Sequence, residues 1–172
     1  MASIFWDMLI NSENGVIFLE AFNTRLYRGM TFDLLKHTDF YKEKYHQMRD
    51  VKTGYFWYYF THLEITGYQL SFSLCFFKDE LEIIHMNTWQ ETDAKDWNEW
   101  TEEKEMNIFH RNNTFLSKIL EMPPTQKKKT PYPSCTFLFP WGNVWSVYDP
   151  RSAGSFMGIS FNEEDPTNKN NL

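Results

Sequence analysis

Tyr68-Gln69-Leu70-Ser71-Phe72-Ser73-Leu74-Cys75-Phe76 alternates a large apolar side chain with a small or polar one over nine residues. Successive side chains of an extended chain point to opposite faces, so this period of two predicts a strand. Tyr68, Leu70, Phe72, Leu74 and Phe76 are expected on its buried side. Immediately before it, Thr66-Gly67 reads as a turn, and residues 55–65 are dense in aromatics, as a strand with one covered side would be. Immediately after it, Lys78-Asp79-Glu80 makes a second turn ahead of a third strand over residues 81–89. Three strands joined by short turns specify an antiparallel meander.

Further out on the N-terminal side, Gly15-Val16-Ile17-Phe18-Leu19 reads as a short first strand after the polar turn Asn11-Ser12-Glu13-Asn14. Thr31 is placed to cap a short helix whose apolar face is Leu34 and Leu35, with Phe40 and Tyr41 folding back on it. The charged residues 42–52 are expected at the surface. On the C-terminal side, Asp96-Trp97-Asn98-Glu99 matches a helix start, with Asp96 as cap and Glu99 three residues on. Trp97, Trp100, Ile108, Phe115, Leu116, Ile119 and Leu120 then form an apolar stripe at helical spacing. Glu102, Glu103, Lys104 and Glu105 fit the solvent side, and Pro123-Pro124 ends the helix.

A polar link over residues 125–133 leads to strands at 135–139, 143–148 and 155–161, with a break or bulge at Pro140-Trp141-Gly142. Residues 162–172 are polar and without apolar period, and are expected to be a disordered tail. The fold class is therefore α+β. An antiparallel β-meander sheet carries a short N-terminal helix and a helix of more than twenty residues, packed on one face between the fourth and fifth strands. Residues 1–161 form a single domain on this reading.

Aromatic residues make up 19% of the 172 residues, with 16 Phe, 9 Tyr and 7 Trp. Core packing between sheet and helix accounts for most of them. The net charge of −6 argues against a broad basic surface for nucleic acid and suits a basic protein partner. The basic run Lys127-Lys128-Lys129 reads as a solvated loop. Cys75 and Cys135 fall inside strands, as buried free thiols of a reducing compartment do. The first residues show no basic leader with an apolar run, and no stretch reaches membrane-spanning length. Cytoplasmic localisation, with no membrane partner, follows as the expectation.

The five histidines, His37, His46, His62, His85 and His110, show no metal-binding spacing with another His or Cys. His62 and Glu64 share a strand face and His85 lies on another strand, so these three could form a ligand or metal cluster. Solvated positions on the open face of the meander explain them more simply. There is no nucleophile elbow and no phosphate loop, and the carboxylates of Glu99, Glu102, Glu103 and Glu105 match an exposed helix face. No cofactor and no enzymatic activity are expected. Four tryptophans lack a simple core explanation: Trp97, Trp100, Trp141 and Trp145. They are the candidate partner-binding residues.

Phe139-Pro140-Trp141-Gly142, then Tyr148-Asp149-Pro150-Arg151-Ser152 and a closing strand, resembles a pattern in small uncharacterised bacterial proteins. These also carry a helix start like Gly29-Met30-Thr31 and a hairpin like residues 67–77. The combination spans most of residues 15–161. Such proteins are similar to the immunity proteins that neutralise polymorphic toxins of neighbouring bacteria. The resemblance implies a non-enzymatic protein-binding domain whose partner is a basic toxin, and it carries over no site residues. The alternative is a small-ligand-binding or hydrolytic domain using the concave face of the sheet around His62, Glu64 and His85.

Overall fold

The computed structural model describes residues 7–162, so all but the first residue of the tail expected at 162–172 lies outside the described residues. Three short strands, β1 (Met8–Ile10), β2 (Ile17–Leu19) and β3 (Thr24–Leu26), form a small antiparallel sheet. Two short helices follow, α1 (Phe32–Lys36) and α2 (Asp39–Lys44). Each starts on a threonine: Thr31 Oγ1 accepts from Leu34 N and Thr38 Oγ1 from Tyr41 N. Leu35 is buried, but Leu34 points outward at 52% exposure, so the expected apolar pair contributes one residue to the core.

The main sheet opens with β4 (Tyr45–Asp50), β5 (Tyr55–Ile65), β6 (Tyr68–Phe77) and β7 (Glu80–Trp89), an antiparallel meander. The charged stretch 42–52 thus contains an edge strand that lies at the surface as expected. Its side chains are mostly exposed and polar, which discourages pairing with a further strand. Along β6, Leu70, Phe72, Leu74 and Phe76 are buried as the alternation requires, with Tyr68 half-buried at the strand start.

The long helix α3 (Glu102–Leu120) has 19 residues, fewer than expected, and begins at Thr101, whose hydroxyl accepts from Lys104 N. Asp96 is not the cap. Its carboxylate takes the backbone N–H groups of Asn98 and Glu99 and closes a tight turn, leaving Trp97 and Trp100 outside the helix. Ile108, Phe109, Asn112, Phe115, Leu116 and Ile119 form its buried face, and Glu121 ends it in the left-handed conformation before Pro123-Pro124. No helix among the described residues is long and apolar enough to cross a membrane.

The chain returns through β8 (Gln126–Lys128), β9 (Ser134–Phe139), β10 (Gly142–Asp149) and β11 (Gly154–Phe161), a second meander. β8 lies within the expected polar link, and α3 falls between the seventh and eighth strands rather than the fourth and fifth. β11 pairs back onto β7, giving one antiparallel sheet of eight strands in the order β4-β5-β6-β7-β11-β10-β9-β8. One side of this sheet, with the small sheet, α1, α2 and α3, encloses a continuous core from Met8 to Ile159.

Trp141 belongs to that architecture. It sits in the two-residue turn between β9 and β10, stacked on Phe139 at 5.2 Å between ring centroids and close to Phe161. Its Nε1 donates to the Ser12 carbonyl at 3.0 Å. Gly15 has a φ of +75°, and a Cβ there would lie 2.7 Å from the indole ring, so glycine is what lets the first hairpin lie against Trp141. This tryptophan ties the small sheet to the large one.

Candidate functional site

The antiparallel register sets Tyr59, Ser73, His85, Gly158, Trp145 and Thr136 side by side across β5, β6, β7, β11, β10 and β9. They alternate with core residues on each strand and therefore occupy the sheet face turned away from the core. His85 lies between two indoles, 5.1 Å from Trp57 and 5.3 Å from Trp145, the second edge-on at 86°. Gly158 makes this possible: a Cβ there would be 2.7 Å from Trp145 and 3.1 Å from the His85 ring. Trp145 Nε1 is held by the Ser160 hydroxyl at 2.9 Å.

Three adjoining hollows run along this face and past the end of β7. The first, about 300 Å³, lies over Ser73 between Trp57, Tyr59, His85 and Phe156, and its lining carries no Asp, Glu, Lys or Arg. The second, about 240 Å³, shares Ser71, Asn87 and Phe156 with it and adds His62, Trp89 and Glu105. The third, about 360 Å³, shares Ala94 and Glu105 with the second and is walled by Trp97 and Trp100. Together they make a trough of aromatic rings that is uncharged at one end and acidic at the other.

The trough exists because β7 and β11 part company. They pair only over Ile84–Met86 and Met157–Ile159, so Asn87 and Thr88, still paired to β6, have no partner on the β11 side. Side chains replace the missing ladder. Asn87 Nδ2 donates to the Ser155 carbonyl at 2.9 Å, and buried Asn112 accepts from Thr88 N and Thr88 Oγ1 at 3.0 and 2.7 Å. Arg111 donates to the Thr88 hydroxyl and carbonyl and to the buried carboxylate of Asp93. Glu105 accepts from Ser155 N at 3.0 Å, and burial raises its carboxyl above the usual range despite that bond. Glu105, expected on the solvent side of the helix, is therefore a half-buried wall of two hollows.

Comparison with protein-family models, curated proteins and solved structures returns no match to this chain. Its site rests on geometry alone. Trp97, Trp100, Trp145, His62 and His85 all lie in or against the trough, while Trp141 is structural and Glu64 is exposed and lines none of the hollows. His62 stacks on Trp89 at 5.0 Å and His85 stands in a different hollow, so His62, Glu64 and His85 do not converge. Among the described residues no group of three or more His, Cys, Asp or Glu is placed to hold a metal ion. Trp57, Tyr59 and Phe156 did not stand out in the sequence. Carrying the period of two from β6 across the Thr66-Gly67 turn puts Trp57 and Tyr59 on the buried face; the register shift between Phe60 and Leu63 reverses the alternation and turns them outward.

Burial pushes the imidazoles of both His62 and His85 below their ordinary value, which keeps them neutral at neutral pH. The unfolded chain then binds protons that the folded one refuses. The associated stability is present above about pH 6.5 and drains away as pH falls through the lower folded values. His85→Gln should flatten the fall of Tm between about pH 6.5 and 5 relative to the parent. Parallel Tm–pH curves for the two proteins would show that His85 is not a source of the acid lability.

Proposed function

We propose that this chain is a non-enzymatic binding protein for a basic protein partner, acting as an immunity protein that neutralises a cognate toxin. The observation that carries the reading is Trp97. It is 74% exposed, the most exposed large apolar side chain among the described residues, and 6.1 Å from the half-buried Trp100. Trp100 is fixed by its Nε1–H, which donates to the Ala153 carbonyl at 2.9 Å. Around this pair, residues 91–105 hold seven carboxylates against two lysines; Asp93 is buried against Arg111, which leaves a net charge of −4 in a chain whose total is −6.

An exposed indole costs hydration free energy that only a partner recovers, and a flat aromatic is the usual anchor of a protein interface. The carboxylates around it would draw in a positively charged surface and accelerate the encounter. Trp97→Ala is expected to leave Tm unchanged and to weaken the toxin complex by about 2 kcal/mol or more, about thirtyfold in Kd. The association rate should fall steeply with added salt. Co-expression with a toxin encoded beside this gene should protect cells. Growth arrest in spite of co-expression, or a Trp97→Ala protein that binds and protects as well as the parent, would refute the proposal.

A small ligand in the sheet-face hollow is the second reading, favoured by its uncharged lining of aromatic rings around the Ser71 and Ser73 hydroxyls.

A further inference from the structure

We propose that the groove between α3 and β8 binds an anionic amphiphile, an aliphatic chain that carries a negatively charged head group. This groove encloses about 800 Å³, well inside the range of small-molecule sites, and lies apart from the trough and from Trp97. Its floor is apolar, with Met106 and Phe109 from α3, Pro124, Pro133 and Cys135; Phe109 and Cys135 belong to a small buried cluster with Tyr148, against which Met106 packs.

The rim has the opposite sign to the rest of the molecule. Lys127, Lys128, Lys129 and His110 line the groove and no Asp or Glu does, in a chain of net charge −6. None of the three lysines forms an ion pair among the described residues. Lys127 stands opposite Cys135 in the β8–β9 register, which directs its side chain to the sheet face that carries the apolar floor.

Lysines on an edge strand commonly serve to block strand pairing. That role explains the cations on β8. It does not explain the apolar floor beneath them, and an anion with a hydrocarbon body accounts for both.

The test is titration of the intact protein with decanoate, followed by calorimetry and by amide NMR shifts. One saturable site is expected, with shifts confined to residues 106–117 and 124–135. Octanoate, shorter by two methylenes, should bind roughly fifteenfold more weakly if the chain lies on the apolar floor. Decyltrimethylammonium, with the same tail and the opposite charge, should not bind at matching concentrations. Lys127→Glu/Lys129→Glu should keep the parent Tm and lose at least tenfold in affinity, and Lys127→Gln/Lys129→Gln, which adds no repulsion, should lose less. Comparing decyl phosphate with decanoate identifies the preferred head group, and saturable binding of either supports the site. The proposal is overturned by the absence of saturable binding at millimolar decanoate, by equal affinity for the cationic amphiphile, or by undiminished affinity in both lysine variants.

Discussion

Arg111→Met should lower folding stability by about 3–5 kcal/mol, read as a shift of the urea midpoint at constant m-value. Arg111 and Asp93 are both largely shielded, with 13% and 6% of their side chains exposed. The guanidinium also supplies hydrogen bonds to the hydroxyl and carbonyl of Thr88, in the part of β7 that has no β11 neighbour. Methionine fills a similar volume but donates nothing. Asp93 would lose its counter-charge in a poorly solvated site, and the Thr88 carbonyl would lose its donor. Removing both charges together, as Arg111→Met with Asp93→Leu, should recover much of the loss, because the penalty lies in the uncompensated partner. A single-variant loss below about 1 kcal/mol would mean that Asp93 reaches water when Arg111 is gone.

A loss of similar size, about 3–5 kcal/mol, is expected for Phe40→Ala. Phe40 is fully buried among three other aromatic rings. It stacks on Phe60 at 4.5 Å and meets Phe72 and Phe22 edge-on at 5.7 and 5.6 Å. Alanine would open a cavity among rigid rings that cannot collapse into it. Phe40→Leu, which keeps most of the volume, should cost no more than about 1.5 kcal/mol. Leu34→Ala on the neighbouring helix should stay within about 0.5 kcal/mol, because Leu34 already faces solvent. Thermal melts of the three variants give the ranking; a Phe40→Ala protein as stable as the Phe40→Leu protein would show that the cluster repacks.

Phe40 and the pair Leu34/Leu35 show where local reading stops. A single turn of helix presents residues in every direction, and a threonine cap says where it starts but not which side meets the sheet. Asp96 makes the same point for α3. Aspartate followed by a glutamate three residues on suits a helix start and an isolated turn equally well. The choice fell to Thr101 because the chain leaving β7 first closes a turn on Asp93, whose carboxylate takes Gln90 N and the Arg111 guanidinium. The same displacement moved Trp97 and Trp100 off the helix and into the acidic connection, where their exposure is decided.

The candidate site was legible in its residue types more than in its arrangement. Trp97, Trp100, Trp145, His62 and His85 were singled out, and all border the trough. Trp141 looked equivalent in sequence, yet Gly15 and Ser12, more than a hundred residues away, make it a half-buried tie between the sheets. Glu105 looked like one more carboxylate on a solvated helix face, until Ser155 and the divergence of β11 from β7 half-buried it.

By itself the sequence determined the α+β class, the antiparallel meander through residues 55–89 and the burial of the alternate residues along β6. The pleat makes side-chain direction a local property, and two tight turns leave those three strands no other way to pair. Only the tertiary structure decided that β11 closes onto β7, that the two then separate at Asn87, and that a trough opens there between His85 and Trp97. That pairing joins segments some seventy residues apart. Any free strand edge would satisfy the same backbone hydrogen bonds, so the choice among edges comes from how α3 fills the volume beneath the sheet.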